Sequence, residues 1–130
     1  MPAPTPALPK RVLIIDRSAD SRDVFRTVLE RHGLAILEAT EFRAGLDAIR
    51  QFHPQVVVLD LESTAAQPAA TRRALRSELA NCDSRCVLLG TWADGGTAEN
   101  HLVRKPYRYG PLVRKIEQLA DQSPPRPSGP

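Results

Sequence analysis

The chain has 130 residues, 42% of them hydrophobic, and a formal net charge of +3. This length suffices for one domain with a single core, and the hydrophobic content argues against general disorder. No apolar stretch is long enough to span a membrane and no signal-peptide pattern opens the chain, so we expect a cytoplasmic protein. The mild positive charge is spread over many segments with few aromatic residues, which does not favour a nucleic-acid-binding protein.

Proline-rich segments flank the part of the chain that has regular hydrophobic patterns. Residues 1–9 and 123–130 hold eight of the twelve prolines. Such segments bury little apolar area, so we expect flexible tails at both ends. The folded domain is then residues 10–122, and the chain is either a single-domain protein or a fragment cut at the second tail.

Short apolar runs that end in a polar residue predict buried parallel strands. The predicted strands comprise residues 11–16, 34–39, 55–60, 85–90 and 101–104. Helical patterns fill most of the intervals. The first predicted helix begins after a cap at Ser18 or Asp20. The next two cover residues 41–52 and about 68–80, and the last begins near Pro111. The first helix should turn an apolar stripe towards the sheet, formed by Val24, Phe25, Val28 and Leu29.

Alternating strands and helices predict an α/β fold with a doubly wound, five-stranded parallel sheet. Gly95-Gly96 disfavours a helix between the fourth and fifth strands, so this fourth crossover helix should be shortened or missing. In open parallel sheets the ligand crevice lies beyond the carboxyl ends of the strands. Asp16, Asp60 and Thr91, each at the end of a predicted strand, should therefore converge on one site.

These residues, in this order on five strands, resemble the receiver domains of two-component response regulators. The matching positions are Asp16 after strand one, Asp60 after strand three, Thr91 after strand four and Lys105-Pro106 after strand five. The resemblance covers residues 10–122 and implies the flavodoxin-like receiver fold.

The resemblance also implies a role for each matching residue. Asp60 would accept a phosphoryl group from a partner histidine kinase, and Asp16 would belong to an acid pair that holds Mg²⁺. Thr91 would be the switch hydroxyl, and Lys105 would contact the phosphoryl oxygens. A carboxylate that attacks an anionic phosphate needs neutralisation, which a divalent ion and a lysine supply.

Arg17 is the main departure from the family, because it stands where the second acid of the pair is expected. A guanidinium is always charged and cannot bind a cation. Pointing inward, it would repel Mg²⁺ and pair with Asp60 or Asp16; pointing outward, it would leave a weaker Mg²⁺ site with one acid fewer. Glu62 either replaces the missing acid in part or is a solvated loop residue.

Further departures concern the loops and the readout of the site. The segment 61–67 lacks the family's Met-Pro pair and following glycine, and Thr91 and Lys105 are only fourteen positions apart. Leu102 stands where the family's switch aromatic is expected. Trp92 follows Thr91, where the family prefers a small residue. It either covers the site, anchors a partner, or fills the volume left by the missing helix.

Three hypotheses follow. The first is an atypical receiver domain in phosphorelay signalling, not itself an enzyme, that acts as a protein-interaction module with impaired Mg²⁺-dependent phosphorylation. The second is a working phospho-receiver, modified on Asp60, with weakened metal affinity. The third is a small ligand-binding or enzymatic α/β domain; the acidic segment 16–20 lacks the glycine of a phosphate loop, which disfavours it. The cognate kinase, the output partner and the oligomeric state do not follow from the sequence.

Overall fold

The computed structural model describes residues 9–60, 68–81, 84–90 and 100–122. In chain order the elements are β1 (Arg11–Ile15), α1 (Ala19–Arg31), β2 (Ala35–Ala39), α2 (Phe42–Phe52), β3 (Val56–Asp60), α3 (Ala69–Asn81), β4 (Arg85–Gly90), β5 (Asn100–Arg104) and α4 (Tyr109–Gln122). The strands form one sheet in the order β2-β1-β3-β4-β5, and every neighbouring pair is parallel.

The predicted doubly wound five-stranded sheet is therefore confirmed, with boundaries that agree within two residues. The predicted short fourth crossover falls on residues 91–99, and most of the two predicted tails falls on 1–8 and 123–130. These segments lie outside the described residues, so those expectations stay predictions. None of the described helices is both long enough and apolar enough to cross a bilayer.

Both faces of the sheet are covered, which explains why the strand sequences are continuously apolar rather than alternating. Val12 and Ile14 of β1 belong to a core cluster with residues of α1 and α4. Leu13 and Ile15 point to the other face, in a second cluster with residues of α2. All four side chains are at most 1% exposed. Burying each contributes about 1.5–3 kcal/mol of transfer free energy.

Helix α1 has the N-cap that the sequence predicts, but one of its predicted inward residues is exposed. Ser18 is the N-cap, and its hydroxyl accepts the Ser21 N–H at 3.3 Å. Gly33 follows the helix at φ +80°, a conformation that glycine adopts without strain. The predicted inward position of Val24 is wrong, since this side chain is 39% exposed. The helical period of 3.6 residues turns Phe25 and Leu29 towards the sheet and leaves Val24 beyond the edge of that stripe.

Helix α2 packs close to β1 at Gly45. Phe42, Leu46 and Ile49 recur at helical spacing and are buried. Gly45 lies on the same face, and a Cβ placed there would be 2.6 Å from Ile15 Cδ1. The missing side chain at Gly45 is therefore what allows the helix to approach the strand this closely.

Helix α4 begins at Tyr109, two residues before the start that was predicted at Pro111. The Leu112 N–H donates to the Arg108 carbonyl at 3.3 Å, so the first turn already contains the proline. Proline is tolerated there because the first N–H groups of a helix have no intrahelical acceptor. The apolar residues after it, Leu112 and Ile116 among them, are buried.

Candidate functional site

Two carboxylates meet at the carboxyl edge of the sheet because β1 and β3 are neighbours. Ile15 pairs with Leu59 in the register, so Asp16 and Asp60 end their strands side by side. The Asp16 N–H donates to the Ala39 carbonyl at 3.1 Å, which continues the strand ladder by one residue. Both aspartates are buried, at 5% and 7% exposure. The sheet therefore holds two like charges together in a poorly hydrated place.

Lys105 supplies the opposite charge from the far side of β4. Its N–H donates to the Gly90 carbonyl at 2.8 Å, which fixes the residue just beyond β5. Its Nζ donates to Asp60 Oδ1 at 2.6 Å, and the two side chains are 25% and 10% exposed. The structure thus brings Asp16, Asp60 and Lys105 together, as the order of the predicted strands requires.

The electrostatic surroundings of Asp16 are mixed. Burial raises the pKa of its carboxyl above the ordinary value, and the neighbouring Asp60 raises it further. The Ser18 N–H, which donates to Asp16 Oδ1 at 2.8 Å, is the largest opposing influence, and the charges of Lys105 and Arg22 also lower the pKa. The net effect is an acid that is more easily protonated than usual.

Arg17 lies at the carboxyl end of β1, next to Asp16 in the chain, and is exposed. The exposure of the residue does not fix where its guanidinium points, so the inward and outward alternatives both stay predictions. The cations that act on Asp16 are Lys105 and Arg22.

Several site residues predicted from the sequence cannot be placed. Glu62, Thr91 and Trp92 lie outside the described residues, as does the whole segment 61–67. Leu102 lies in β5, but its side chain is outside the description as well. Their roles stay predictions.

The described residues supply only part of a Mg²⁺ site. Mg²⁺ in proteins is held octahedrally by one or two carboxylates together with waters and other oxygen ligands. Within residues 9–60, 68–81, 84–90 and 100–122, no group of three or more His, Cys, Asp or Glu side chains could hold a metal ion. Two carboxylates are present, but the ammonium group of Lys105 is bound to Asp60.

An aromatic cluster beside the site escaped the sequence analysis. The ring of Phe25 in α1 lies 6.1 Å from that of Tyr107 and 5.3 Å from that of Tyr109, and the two tyrosine rings are 5.5 Å apart. Burial, then Tyr109, and then Asp16 and Asp60 raise the pKa of Tyr107. Two tyrosines follow closely after Lys105-Pro106 in the sequence, and this was the feature that could have indicated the cluster.

Comparison with known proteins gives a match in structure and none in sequence. No family model matches the chain, and no curated protein does. A response regulator receiver domain from Francisella superposes with a TM-score of 0.71 at 17% identity, over 88% of this chain and 99% of that one. A response regulator from Thermotoga maritima gives a TM-score of 0.66 at 18% identity, over 88% of this chain and 100% of that one.

A third structure is named as a response regulator receiver modulated diguanylate cyclase from Pelobacter carbinolicus. Its TM-score is 0.68 at 23% identity, over 88% of this chain and 94% of that one. Likeness at these identities is evidence of fold. Together with the strand order and the placement of Asp16, Asp60 and Lys105, it shows that this protein has the fold of the response-regulator receiver domains.

Proposed function

We propose that the protein is an atypical receiver domain of two-component signalling, which acts through protein contacts and whose Mg²⁺-dependent phosphorylation is impaired. The observation that carries the proposal is the geometry around Asp60. This buried carboxylate ends the central strand β3 and is bound by Lys105 at 2.6 Å, while the position beside Asp16 holds an exposed arginine.

The chemistry of phosphoryl transfer explains why this site suggests a receiver. A phosphoryl group attached to Asp60 would place anionic oxygens where the Lys105 ammonium group now lies, and that cation would neutralise part of their charge. The lysine already sits within hydrogen-bonding distance of the acceptor oxygen, so little rearrangement is required. This arrangement supports Asp60 as the phosphoacceptor and Lys105 as its contact.

The same geometry supports impaired rather than normal modification. An attacking carboxylate and an incoming phosphoryl group repel each other, and Asp16 adds a second negative charge whenever it is ionised. Lys105 supplies one positive charge to offset these negative charges. Arg17 is not an acid, so it cannot help to bind a divalent ion. We therefore expect transfer to Asp60 to be slow at ordinary Mg²⁺ concentrations.

The partners that this function requires are signalling proteins, either a histidine kinase or an output protein. The Pelobacter carbinolicus structure is named as a cyclase modulated by its receiver, so in that protein the fold is described as controlling a separate activity. We propose a corresponding regulatory role for this chain, with the activity residing in whatever protein it contacts.

A working phospho-receiver with weak metal affinity is the second candidate. The retained pair of Asp60 and Lys105 favours it. The two candidates differ only in whether Asp60 becomes modified under ordinary conditions.

Direct phosphorylation separates these candidates. The full chain is incubated with acetyl phosphate, or with beryllofluoride, across a series of Mg²⁺ concentrations. Modification is followed by intact-mass spectrometry and by backbone amide shifts, with Asp60→Asn as the control. We expect at most partial modification without saturation. Robust, saturable modification at ordinary Mg²⁺ concentrations that is absent from the control would overturn the first proposal in favour of the second.

Restoring the missing acid tests the cause. Arg17→Asp should increase Mg²⁺ affinity by about tenfold or more, because ligand charge largely sets the affinity of such sites. Arg43→Asp, at an exposed arginine of α2, changes the net charge equally at a distance and should leave the affinity almost unchanged. Calorimetric titration measures both. Equal responses of the two variants would show that position 17 is not the missing ligand.

A further inference from the structure

The backbone that carries Lys105 is anchored on both sides. The Lys105 N–H donates to the Gly90 carbonyl at 2.8 Å, which attaches the residue to the end of β4. Two residues further along the chain, the ring of Tyr107 packs against the rings of Phe25 and Tyr109. The lysine side chain therefore leaves the chain between a strand contact and a ring contact.

The ring contact joins the segment after β5 to two helices. Phe25 of α1 is completely buried, and Tyr109 is the first residue of α4. The three ring centroids lie 6.1, 5.3 and 5.5 Å apart, and each ring contacts the other two. Aromatic pairs attract each other at centroid separations of about 4.5–7 Å, so the cluster is a favourable packing unit. Tyr107 is thus held by α1 and α4 together.

Tyr107 also lies beside the carboxylate pair. Burial is the main reason that the pKa of its phenol is raised, and Tyr109 and then the charges of Asp16 and Asp60 raise it further. Because interactions between charges weaken with distance, this influence places the phenol near the pocket that receives the Lys105 ammonium group. The anchor and the ion pair are therefore neighbours in space as well as in sequence.

The ion pair needs such an anchor because lysine is a flexible residue. Its ammonium group sits on a four-carbon stem with several rotatable bonds. Nζ nevertheless lies 2.6 Å from Asp60 Oδ1, with the lysine side chain 25% exposed. A largely buried ion pair is favourable only while its geometry is good, so a backbone that shifted here would release the ammonium group to solvent.

We propose that Tyr107 is a positioning residue, whose ring holds the segment after β5 so that the Lys105 ammonium group stays on Asp60. The inference deepens the proposed function and rests on it only for the use of the lysine, which there contacts phosphoryl oxygens. The ion pair forms without a phosphoryl group, so the role of Tyr107 is testable without one.

A double-mutant cycle on the full chain, carried out in two backgrounds, tests the proposal. Urea unfolding gives the coupling free energy between Lys105→Met and Asp60→Asn, first in the wild type and then in Tyr107→Leu. We expect the coupling to fall to about half or less in Tyr107→Leu. Tyr107→Phe keeps the ring and should keep most of the coupling.

Phe52→Leu is the matched control for the loss of a ring. Phe52 is also half-buried, and it ends α2 at the opposite edge of the sheet, where its carbonyl accepts from Arg11 at 2.7 Å. Phe52→Leu should lower the stability of the protein and leave the coupling between residues 60 and 105 almost unchanged, because it is remote from the pair.

The other outcomes of the cycle overturn the proposal. Unchanged coupling in Tyr107→Leu, with only a loss of stability, would mean that the ring packs in the core without positioning the lysine. An equal fall in Phe52→Leu would show that coupling follows overall stability. A fall in Tyr107→Phe as large as that in Tyr107→Leu would assign the effect to the hydroxyl instead of the ring.

Lysine reactivity gives a second measurement that needs only the native state. A small activated ester acylates exposed amines, and peptide mass spectrometry compares the rate at Lys105 with that at Lys115. Phe25→Leu removes a ring from the α1 side without changing the segment after β5, so it serves if Tyr107→Leu does not fold by circular dichroism. Either variant should raise the relative rate at Lys105 several-fold, and Phe52→Leu should not. An unchanged ratio in a folded variant of the cluster would overturn the proposal.

These results do not depend on phosphorylation of the protein. Failure of acetyl phosphate to modify Asp60 as proposed would leave the coupling and the acylation rates as they are. Conversely, loss of the positioning role would leave the modification of Asp60 to be measured on its own.

Discussion

Replacing Lys105 by Met removes one charge of the buried pair while keeping most of the apolar stem. The Nζ–Oδ1 distance of 2.6 Å gives a gross attraction of about 6 kcal/mol at an effective dielectric constant of about 20. Removing one partner of a buried pair typically costs about 3–5 kcal/mol, because the remaining charge loses its compensation. Since Lys105 is 25% exposed, we expect a loss of about 2–3 kcal/mol in the free energy of unfolding.

Urea unfolding at neutral pH measures this loss, and a double-mutant cycle identifies its cause. Asp60→Asn alone should change stability little, because it relieves the repulsion with Asp16 and Lys105 can extend to solvent. The combination of Lys105→Met with Asp60→Asn should regain about 2 kcal/mol relative to Lys105→Met alone. Strict additivity of the two substitutions would refute the reasoning.

Two further substitutions test the packing and the charge of the site. Burial raises the pKa of Asp16 above its ordinary value of 3.8. At pH values between the ordinary and the raised pKa, the folded state therefore binds more protons than the unfolded state. Stability falls as the pH rises through that window. Asp16→Asn should remove this fall and stabilise the protein at neutral pH by on the order of 1 kcal/mol, measured by urea unfolding across pH; an unchanged pH profile would contradict it. Gly45→Ala should cost about 1–3 kcal/mol in thermal or urea unfolding, because its Cβ would meet Ile15 at 2.6 Å. In the control Gly110→Ala, where the nearest atom is 3.9 Å away, stability should stay level or rise, and equal losses would rule out the clash as the cause.

The sheet could be predicted because the sequence shows the apolar runs that its strands require. A strand buried on both faces needs a continuous apolar run, and the runs before Asp16 and Asp60 have that form. The carboxyl ends of parallel strands share one edge, so the meeting of these acids with Lys105 followed from strand order. The burial predicted for Val24 was wrong, because four apolar residues in six positions occupy a wider arc of the helix than the sheet can cover.

Other features depend on tertiary placement that no local pattern contains. Whether Arg17 points towards the site depends on a long, flexible side chain, whose rotamer is not set by its neighbours in sequence. The aromatic cluster joins Phe25 in α1 to residues that follow β5.

The backbone hydrogen bond from Lys105 to Gly90 makes the position of this lysine independent of the length of the connection between β4 and β5. Pairing of β5 with β4 fixes Arg104 opposite Gly90, and the next N–H then positions the lysine from the sheet itself. The number of residues joining the two strands does not enter this geometry. Insertions or deletions within 91–99 should therefore leave the ammonium group beside Asp60.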